Sequence, residues 1–162
     1  MKKLPLLKLI AFIGLALPLA LLIGTRFLSI FPPISASAGD EKSTLDYACT
    51  RMLLIFPHST KLVAFRRASF LDESIDLLVE IDPDDVDVFM RNDAFRDIKP
   101  SMTEKSIFVL DPPAGAVEQW RARDVRRFAS GQARLPNYSN LSFLLDFDRN
   151  DVVRIYLSWW ES

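Results

Sequence analysis

Residues 140–160 read NLSFLLDFDRNDVVRIYLSWW, and this stretch decides the fold of the chain. Apolar residues take every second position in both halves: Leu141, Phe143, Leu145 and Phe147, then Val153, Ile155, Leu157 and Trp159. Alternation with a period of two is typical of a β-strand that buries one face. The two halves therefore predict a β-hairpin whose odd-numbered residues point into a core.

The register of this hairpin follows because both halves must bury the same face. Opposed residues share a face, so odd positions pair with odd positions. A three-residue loop over 149–151 satisfies this condition, with Asn150 or Asp151 in the left-handed conformation. We then expect Leu145 to face Ile155 and Phe147 to face Val153.

The elements before the hairpin are predicted from the same kind of pattern. Alternation predicts a strand over 73–81, and a less regular apolar run predicts another over 61–70. Apolar spacing predicts a helix from Ser43 to Phe56 with Cys49 on its buried face. The series Asp82-Pro83-Asp84-Asp85 predicts the start of a second helix. A short helix near 115–122 and a strand near 125–130 complete the set.

The N-terminus predicts a membrane segment. Three lysines are followed by a 23-residue stretch from Leu9 to Phe31 with a single charge, Arg26. As a helix it would be about 34 Å long, enough to cross a bilayer core. Ala36-Ser37-Ala38 offers the alternative of signal cleavage after Ala38. We favour the retained anchor because the uninterrupted apolar run already ends at Gly24.

The predicted organisation is a membrane anchor or signal segment over 1–34, a linker over 35–42, and one domain over 43–162. The fold class is α+β: an N-terminal membrane helix followed by an antiparallel sheet of four or five strands with two helices on one face. Lysines before the span put the N-terminus in the cytoplasm and the domain in the periplasm or outside the cell. The cleaved alternative would be secreted.

Charge and composition exclude several functions. The first 38 residues hold four of the 20 basic residues and none of the 21 acids, so the remaining chain carries a net charge of −5. Such a domain is not expected to bind nucleic acid. With one histidine, one cysteine and few glycines, we expect no metal site, no phosphate loop and no other cofactor. Asp146, Asp148 and Asn150 match the start of a calcium loop, but Asp151 and Leu157 break the pattern.

Two surfaces are candidates for binding a partner. The outward face of the hairpin carries Tyr156, Trp160, Arg154 and Leu144, a composition typical of a binding hot spot; alternatively, the segment 100–138 folds over this face. The second candidate is a basic surface of Arg121, Arg123, Arg126 and Arg127. It either neutralises the acids of 72–97 or docks a partner or lipid headgroups.

The function predicted from these features is a membrane-tethered extracytoplasmic protein-interaction module, such as an accessory, inhibitor or immunity-like factor. Its partners would be the membrane, through residues 9–31, and another envelope protein. The alternative is an envelope enzyme that uses paired carboxylates from Asp82, Asp84, Asp146 and Asp148. No catalytic residue is assigned.

Overall fold

An antiparallel sheet is the frame of the domain. The computed structural model describes residues 34–35, 41–69, 72–110 and 120–161. The strands are β1 (Ile34–Ser35), β2 (Lys61–Ser69), β3 (Glu73–Ile81), β4 (Phe128–Arg134), β5 (Asn140–Asp146) and β6 (Val153–Trp160). They lie in the order β1-β2-β3-β6-β5-β4, and every neighbouring pair is antiparallel. Five strands have seven to nine residues, and β1 adds a short edge.

Two helices pack on one face of this sheet, α1 (Glu41–Met52) and α2 (Val86–Met90). Short 3₁₀ turns lie at Pro83–Asp85, Asp93–Phe95 and Ile107–Val109. Both helices contribute to the same core as the odd-numbered residues of β3, β5 and β6. The predicted α+β class is therefore confirmed for the sheet and the two helices.

The predicted membrane helix over 9–31 lies outside the described residues. Within the part of the chain that is described, no helix is long and apolar enough to cross a membrane.

The hairpin register is as predicted, whereas its loop is not. Leu145 pairs with Ile155, but β5 ends at Asp146 and β6 begins at Val153, so residues 147–152 form a longer connection. Neither Asn150 nor Asp151 adopts a positive φ. The ladder ends early because Phe147 donates its N–H to the carbonyl of Arg127, 2.8 Å away, outside the hairpin.

The first helix ends earlier than its apolar pattern predicts. Leu53 takes the left-handed conformation with φ 53°, and the N–H of Leu54 donates to the carbonyl of Cys49 at 3.1 Å. This bond ends the helix, and the left-handed position that ends it is more commonly occupied by glycine. Residues 53–56 therefore form a connecting segment to β2, and Cys49 is half-buried instead of fully buried.

Part of the predicted linker over 35–42 lies in regular secondary structure. Ser35 pairs with Arg66 in the sheet, and Glu41 and Lys42 belong to α1. Glu41 also accepts a hydrogen bond from the N–H of Leu62 at 2.6 Å, which covers part of the edge of β2. The structured domain thus includes residues that the sequence assigned to the linker.

The segment before β4 also departs from prediction. Residues 115–119 of the expected short helix lie outside the described residues, and 120–122 are not helical. The expected strand near 125–130 is β4, which starts at Phe128 and runs to Arg134. Gly131 in β4 permits a close approach, because a Cβ there would lie 2.8 Å from the ring of Phe143.

Candidate interaction surfaces

The hairpin face that carries Tyr156 and Leu144 is not a free surface. Tyr156 is 1% exposed and Leu144 0% exposed. Val109, Trp120, Ala122 and Val125 cover them and form a second core. The Trp120 ring packs edge-on against Tyr156 at 5.2 Å, and its Nε1 donates to the carbonyl of Val109 at 3.0 Å. The predicted exposure of these two residues is wrong, and the alternative of a covering segment is confirmed.

The other two residues of that predicted surface have separate surroundings. Arg154 is held by Glu80, with 2.9 Å between Nε and Oε1. Trp160 lies at the end of β6 and is half-buried, and its ring packs at a tilt against Phe108, with 4.4 Å between the ring centroids. A role for Arg154 or Trp160 in binding a protein partner stays a prediction.

The four arginines of the predicted basic surface are all exposed. Arg127 donates from its guanidinium to Asn150 at 3.2 Å. The acids of β3 pair elsewhere: Glu73 with Arg51 and Arg67, Asp76 with Arg66, and Glu80 with Arg149 and Arg154. These acids are thus neutralised by α1, β2, β6 and the loop after β5. Docking by Arg121, Arg123, Arg126 and Arg127 stays a prediction.

Of the four carboxylates proposed for an enzyme, Asp146 and Asp148 accept backbone hydrogen bonds. Asp148 accepts the N–H groups of Arg126 and Arg127 at 2.8 and 2.7 Å, which lowers its pKa. Asp146 is buried, and burial raises the pKa of its carboxyl group. Asp82 and Asp84 are exposed at the start of a 3₁₀ turn. Among the described residues, no three His, Cys, Asp or Glu side chains are placed to hold a metal ion.

The segment between α1 and β2 presents a rigid apolar projection that the sequence pattern did not predict. Ile55 is 77% exposed. The side chain of the buried Asn92 holds its backbone from both sides: Oδ1 accepts the Ile55 N–H at 2.6 Å, and Nδ2 donates to the Ile55 carbonyl at 3.0 Å. Nδ2 also donates to Phe89 at 2.7 Å, which fixes the amide to α2. The backbone of an exposed isoleucine is thereby held in place.

An open groove of about 800 Å³ lies beside this projection. Its apolar lining comes from Leu45, Cys49, Leu54, Ile55, Phe56 and Pro57. Its polar lining includes two acids and two lysines: Glu41, Asp46, Lys42 and Lys61. Burial raises the pKa of the Cys49 thiol, which favours the unreactive protonated form. His58, exposed in a turn, lies at the same groove.

One sequence signal could have indicated this surface. Residues 52–56 read MLLIF, five consecutive apolar residues. A helix with one buried face accommodates apolar residues at spacings of three and four, so a continuous run exceeds what it can bury. Which of the five is exposed depends on the end of the helix at Leu53 and on the hydrogen bonds from Asn92 to Ile55. No local sequence pattern reveals either of them.

A row of polar residues crosses the opposite face of the sheet. In register from β4 to β2 these are Gln132, Ser142, Ser158, Asp76 and Arg66. The Ser158 hydroxyl donates to Asp76 at 2.9 Å. Burial raises the pKa of Asp76, and the Ser158 hydrogen bond and the Arg66 charge only partly oppose it.

This pKa shift predicts how stability depends on pH. A carboxyl group whose pKa is higher in the folded state than in the unfolded state favours folding increasingly as pH falls through the folded pKa. We therefore expect Asp76→Asn to be most favourable, relative to the wild type, near neutral pH, and this advantage to shrink on acidification. Urea unfolding of both proteins between about pH 7 and about pH 4 measures the difference. In a Ser158→Ala background, the stability advantage of Asp76→Asn should depend more steeply on pH. An advantage of Asp76→Asn that grows on acidification would contradict the raised pKa of Asp76.

No protein-family model, no curated protein and no solved structure matches this chain.

Proposed function

We propose that this chain is a membrane-tethered extracytoplasmic interaction module that binds another envelope protein through Ile55 and the adjacent groove. The N-terminal apolar stretch supports the tether, because its length and preceding lysines are those of a signal anchor. The observation that carries the binding role is the clamp of Asn92 on both sides of Ile55. The domain would act on that partner as an accessory, inhibitor or immunity-like factor.

The clamp matters because binding costs less when the contacting residue is already ordered. A mobile loop loses conformational freedom on association, whereas the backbone of Ile55 is already held by Asn92 before any partner binds. Complete burial of an exposed isoleucine side chain contributes about 1.5–3 kcal/mol. The backbone groups of Ile55 also already have partners, so a neighbour that excludes water would leave neither of them unsatisfied.

The groove indicates that the partner is a protein. The groove is lined by both apolar and charged residues, and protein–protein interfaces combine the two in this way. The lining contains two acids and two lysines, so it offers no net attraction to an anionic lipid surface. We therefore assign the surface to a protein that offers one pocket for Ile55 and apolar side chains for the groove.

A photo-crosslinking amino acid at position 55 tests this assignment in intact cells. Ile107 is the matched control, because it is also an isoleucine and is 70% exposed, but it lies on a 3₁₀ turn that packs with the second core. We expect a discrete crosslinked protein from position 55 and none from position 107. We also expect Ile55→Asp to weaken binding of that protein by roughly tenfold or more, as at a hot spot.

Crosslinking from positions 55 and 107 also distinguishes the surface around Ile55 from the surface beside Phe108 and Trp160. Crosslinking from position 107 alone would transfer the partner to the surface beside Phe108 and Trp160 and would overturn the role of Ile55. Binding that Ile55→Asp leaves unchanged would also overturn it.

A further inference from the structure

The two edges of the sheet differ in how far other residues cover them. At the β2 edge, β1 pairs with Arg66 and Arg67, and the carboxylate of Glu41 accepts the N–H of Leu62 at 2.6 Å. On the outer side of β4, the only pairing residue in the described part of the chain is Ser101. An edge strand without a neighbour exposes backbone groups with which another chain can pair.

Ser101 covers β4 at a single position, Ser130. The backbones of these two residues exchange hydrogen bonds of 2.7 and 2.9 Å. The Ser130 hydroxyl also accepts the N–H of Ser106 at 2.8 Å and donates to the carbonyl of Phe143 at 2.9 Å. Both ends of the segment 101–106 are therefore fastened to Ser130, and this segment pairs with no other residue of β4.

The next two outward positions along β4 are Gln132 and Arg134. Backbone groups along a strand alternate in direction with a period of two, and those of Ser130 point away from β5 to Ser101. The backbone groups of Gln132 and Arg134 therefore also point away from β5. Within the described ranges no residue bonds to them from outside, and both residues are exposed. Each offers an N–H donor and a carbonyl acceptor, and we call residues 132–134 the open edge.

The charge beside the open edge is positive. Residues 126–134 and 97–106 form β4 and the segment next to it, and they contain five basic side chains and two acids. The basic residues are Lys99, Lys105, Arg126, Arg127 and Arg134, and the acids are Asp97 and Glu104. By contrast, the chain beyond residue 38 carries a net charge of −5. The open edge thus belongs to a basic strip on an acidic domain, and it favours an acidic partner.

Strand pairing also defines where the side chains of a partner would lie. Directly opposed residues share a face, so an acid opposite Arg134 would form a cross-strand ion pair. The residue next to it would lie on the other face, opposite Ala133. Ala133 is buried there and Ile98 is half-buried against Gly131, so an apolar side chain fits this position. An extended segment in which acidic and apolar residues alternate therefore matches the open edge.

We propose that the open edge of β4 binds an extended acidic segment of another protein as an additional antiparallel strand of the sheet. Pairing at Gln132 and Arg134 would form about four backbone hydrogen bonds. A second copy of this chain is a poorer match, because edge-to-edge pairing would bring two basic strips together. The inference adds a second binding surface to the proposed function, since no residue of β4 lines the groove beside Ile55.

A synthetic peptide tests the pairing on the full-length protein in mild detergent. The probe is a fluorescein-labelled peptide with the sequence TEVEVEVT, and its control is TKVKVKVT, which has the same alternation and the opposite charge. We expect the acidic peptide to bind at least about tenfold more tightly, as measured by fluorescence anisotropy. Hydrogen exchange at the N–H groups of Gln132 and Arg134 should slow in the complex, whereas that of Ala133, which points towards β5, should change little.

Two substitutions of Gln132 separate its backbone from its side chain. Gln132→Pro removes an outward N–H that the fold does not use, and proline is tolerated where an edge strand faces solvent. We expect this variant to bind the acidic peptide at least about tenfold more weakly, and Gln132→Ala, which keeps the N–H, to stay within about twofold of the wild type. Arg134→Glu leaves every backbone bond in place and should also weaken binding at least about tenfold, which keeps the test decisive if the proline variant is destabilised.

Several results would overturn the inference. One is that neither peptide binds, or that Gln132→Pro and Arg134→Glu both leave binding unchanged. Another is binding without slower exchange at these two residues, because the contact would then be electrostatic alone. Self-association of the peptide-free protein that Gln132→Pro abolishes would assign the open edge to a second copy instead. Loss of peptide binding in Ile55→Asp would place the peptide in the groove, which overturns this inference and leaves the proposed function in place.

Discussion

Replacing Glu73 by Ala is expected to lower the free energy of unfolding by about 2–3 kcal/mol. Glu73 is buried at the start of β3 and holds three side chains together. Its carboxylate accepts a hydrogen bond from the hydroxyl of Tyr47 and lies 3.0 Å from Arg51 and 2.5 Å from Arg67. Removing one member of a buried ion pair costs about 3–5 kcal/mol, and we reduce this because both arginines are more than a third exposed.

The geometry of this cluster adds to the expected loss. Both guanidinium groups lie over the ring of Tyr47, at 5.7 and 5.1 Å. Without the carboxylate, two like charges would remain on one aromatic ring. Arg67 forms an ion pair with Glu73, and this contact needs the opposite charge.

Chemical denaturation of the full-length chain in mild detergent measures this prediction. Asp72→Ala is the matched control, because this neighbouring acid is exposed, and we expect a change within about 0.5 kcal/mol. Tyr47→Phe removes one hydrogen bond and should cost about 1 kcal/mol. A Glu73→Ala variant as stable as Asp72→Ala would show that the cluster contributes nothing to the folded state.

The sequence predicts the strands well because their signal is local. In β3, β5 and β6, every second side chain faces the core, and this is what the alternation reports. Leu145 and Ile155 pair because both must face that core. The burial of Glu73 is the limit of this prediction, since nothing in the local pattern distinguishes it from its exposed neighbour Asp72. That burial depends on Arg51 and Arg67, which other elements bring to Glu73.

The candidate surfaces were harder to predict because exposure is not a local property. Alternation indicates that Tyr156 and Leu144 share a face, but it does not show whether Trp120 covers that face. Likewise, the apolar spacing from Leu45 to Phe56 is compatible with one continuous helix. The left-handed conformation of Leu53 ends that helix. The contact that then fixes Ile55 comes from Asn92, 37 residues later.

Replacing Asn92 by Ala is expected to destabilise the domain by about 2–3 kcal/mol and to release Ile55. The variant loses three hydrogen bonds, two to the backbone of Ile55 and one to Phe89. Each typical bond contributes about 1 kcal/mol, and buried groups left without a partner add a desolvation penalty. Asn150→Ala is the control, because this exposed asparagine accepts one hydrogen bond, and we expect a loss within about 0.5 kcal/mol.

Hydrogen exchange connects this loss to the proposed binding surface. The N–H of Ile55 is protected by Asn92, so in Asn92→Ala it should exchange much faster than in the wild type, while the amides of β3 and β6 respond only to the lower global stability. If the clamp orders Ile55 for its partner, the variant should also bind more weakly although Ile55 itself is unchanged. Faster exchange with undiminished binding would show that the partner orders Ile55 itself, and the argument from preorganisation would then fail.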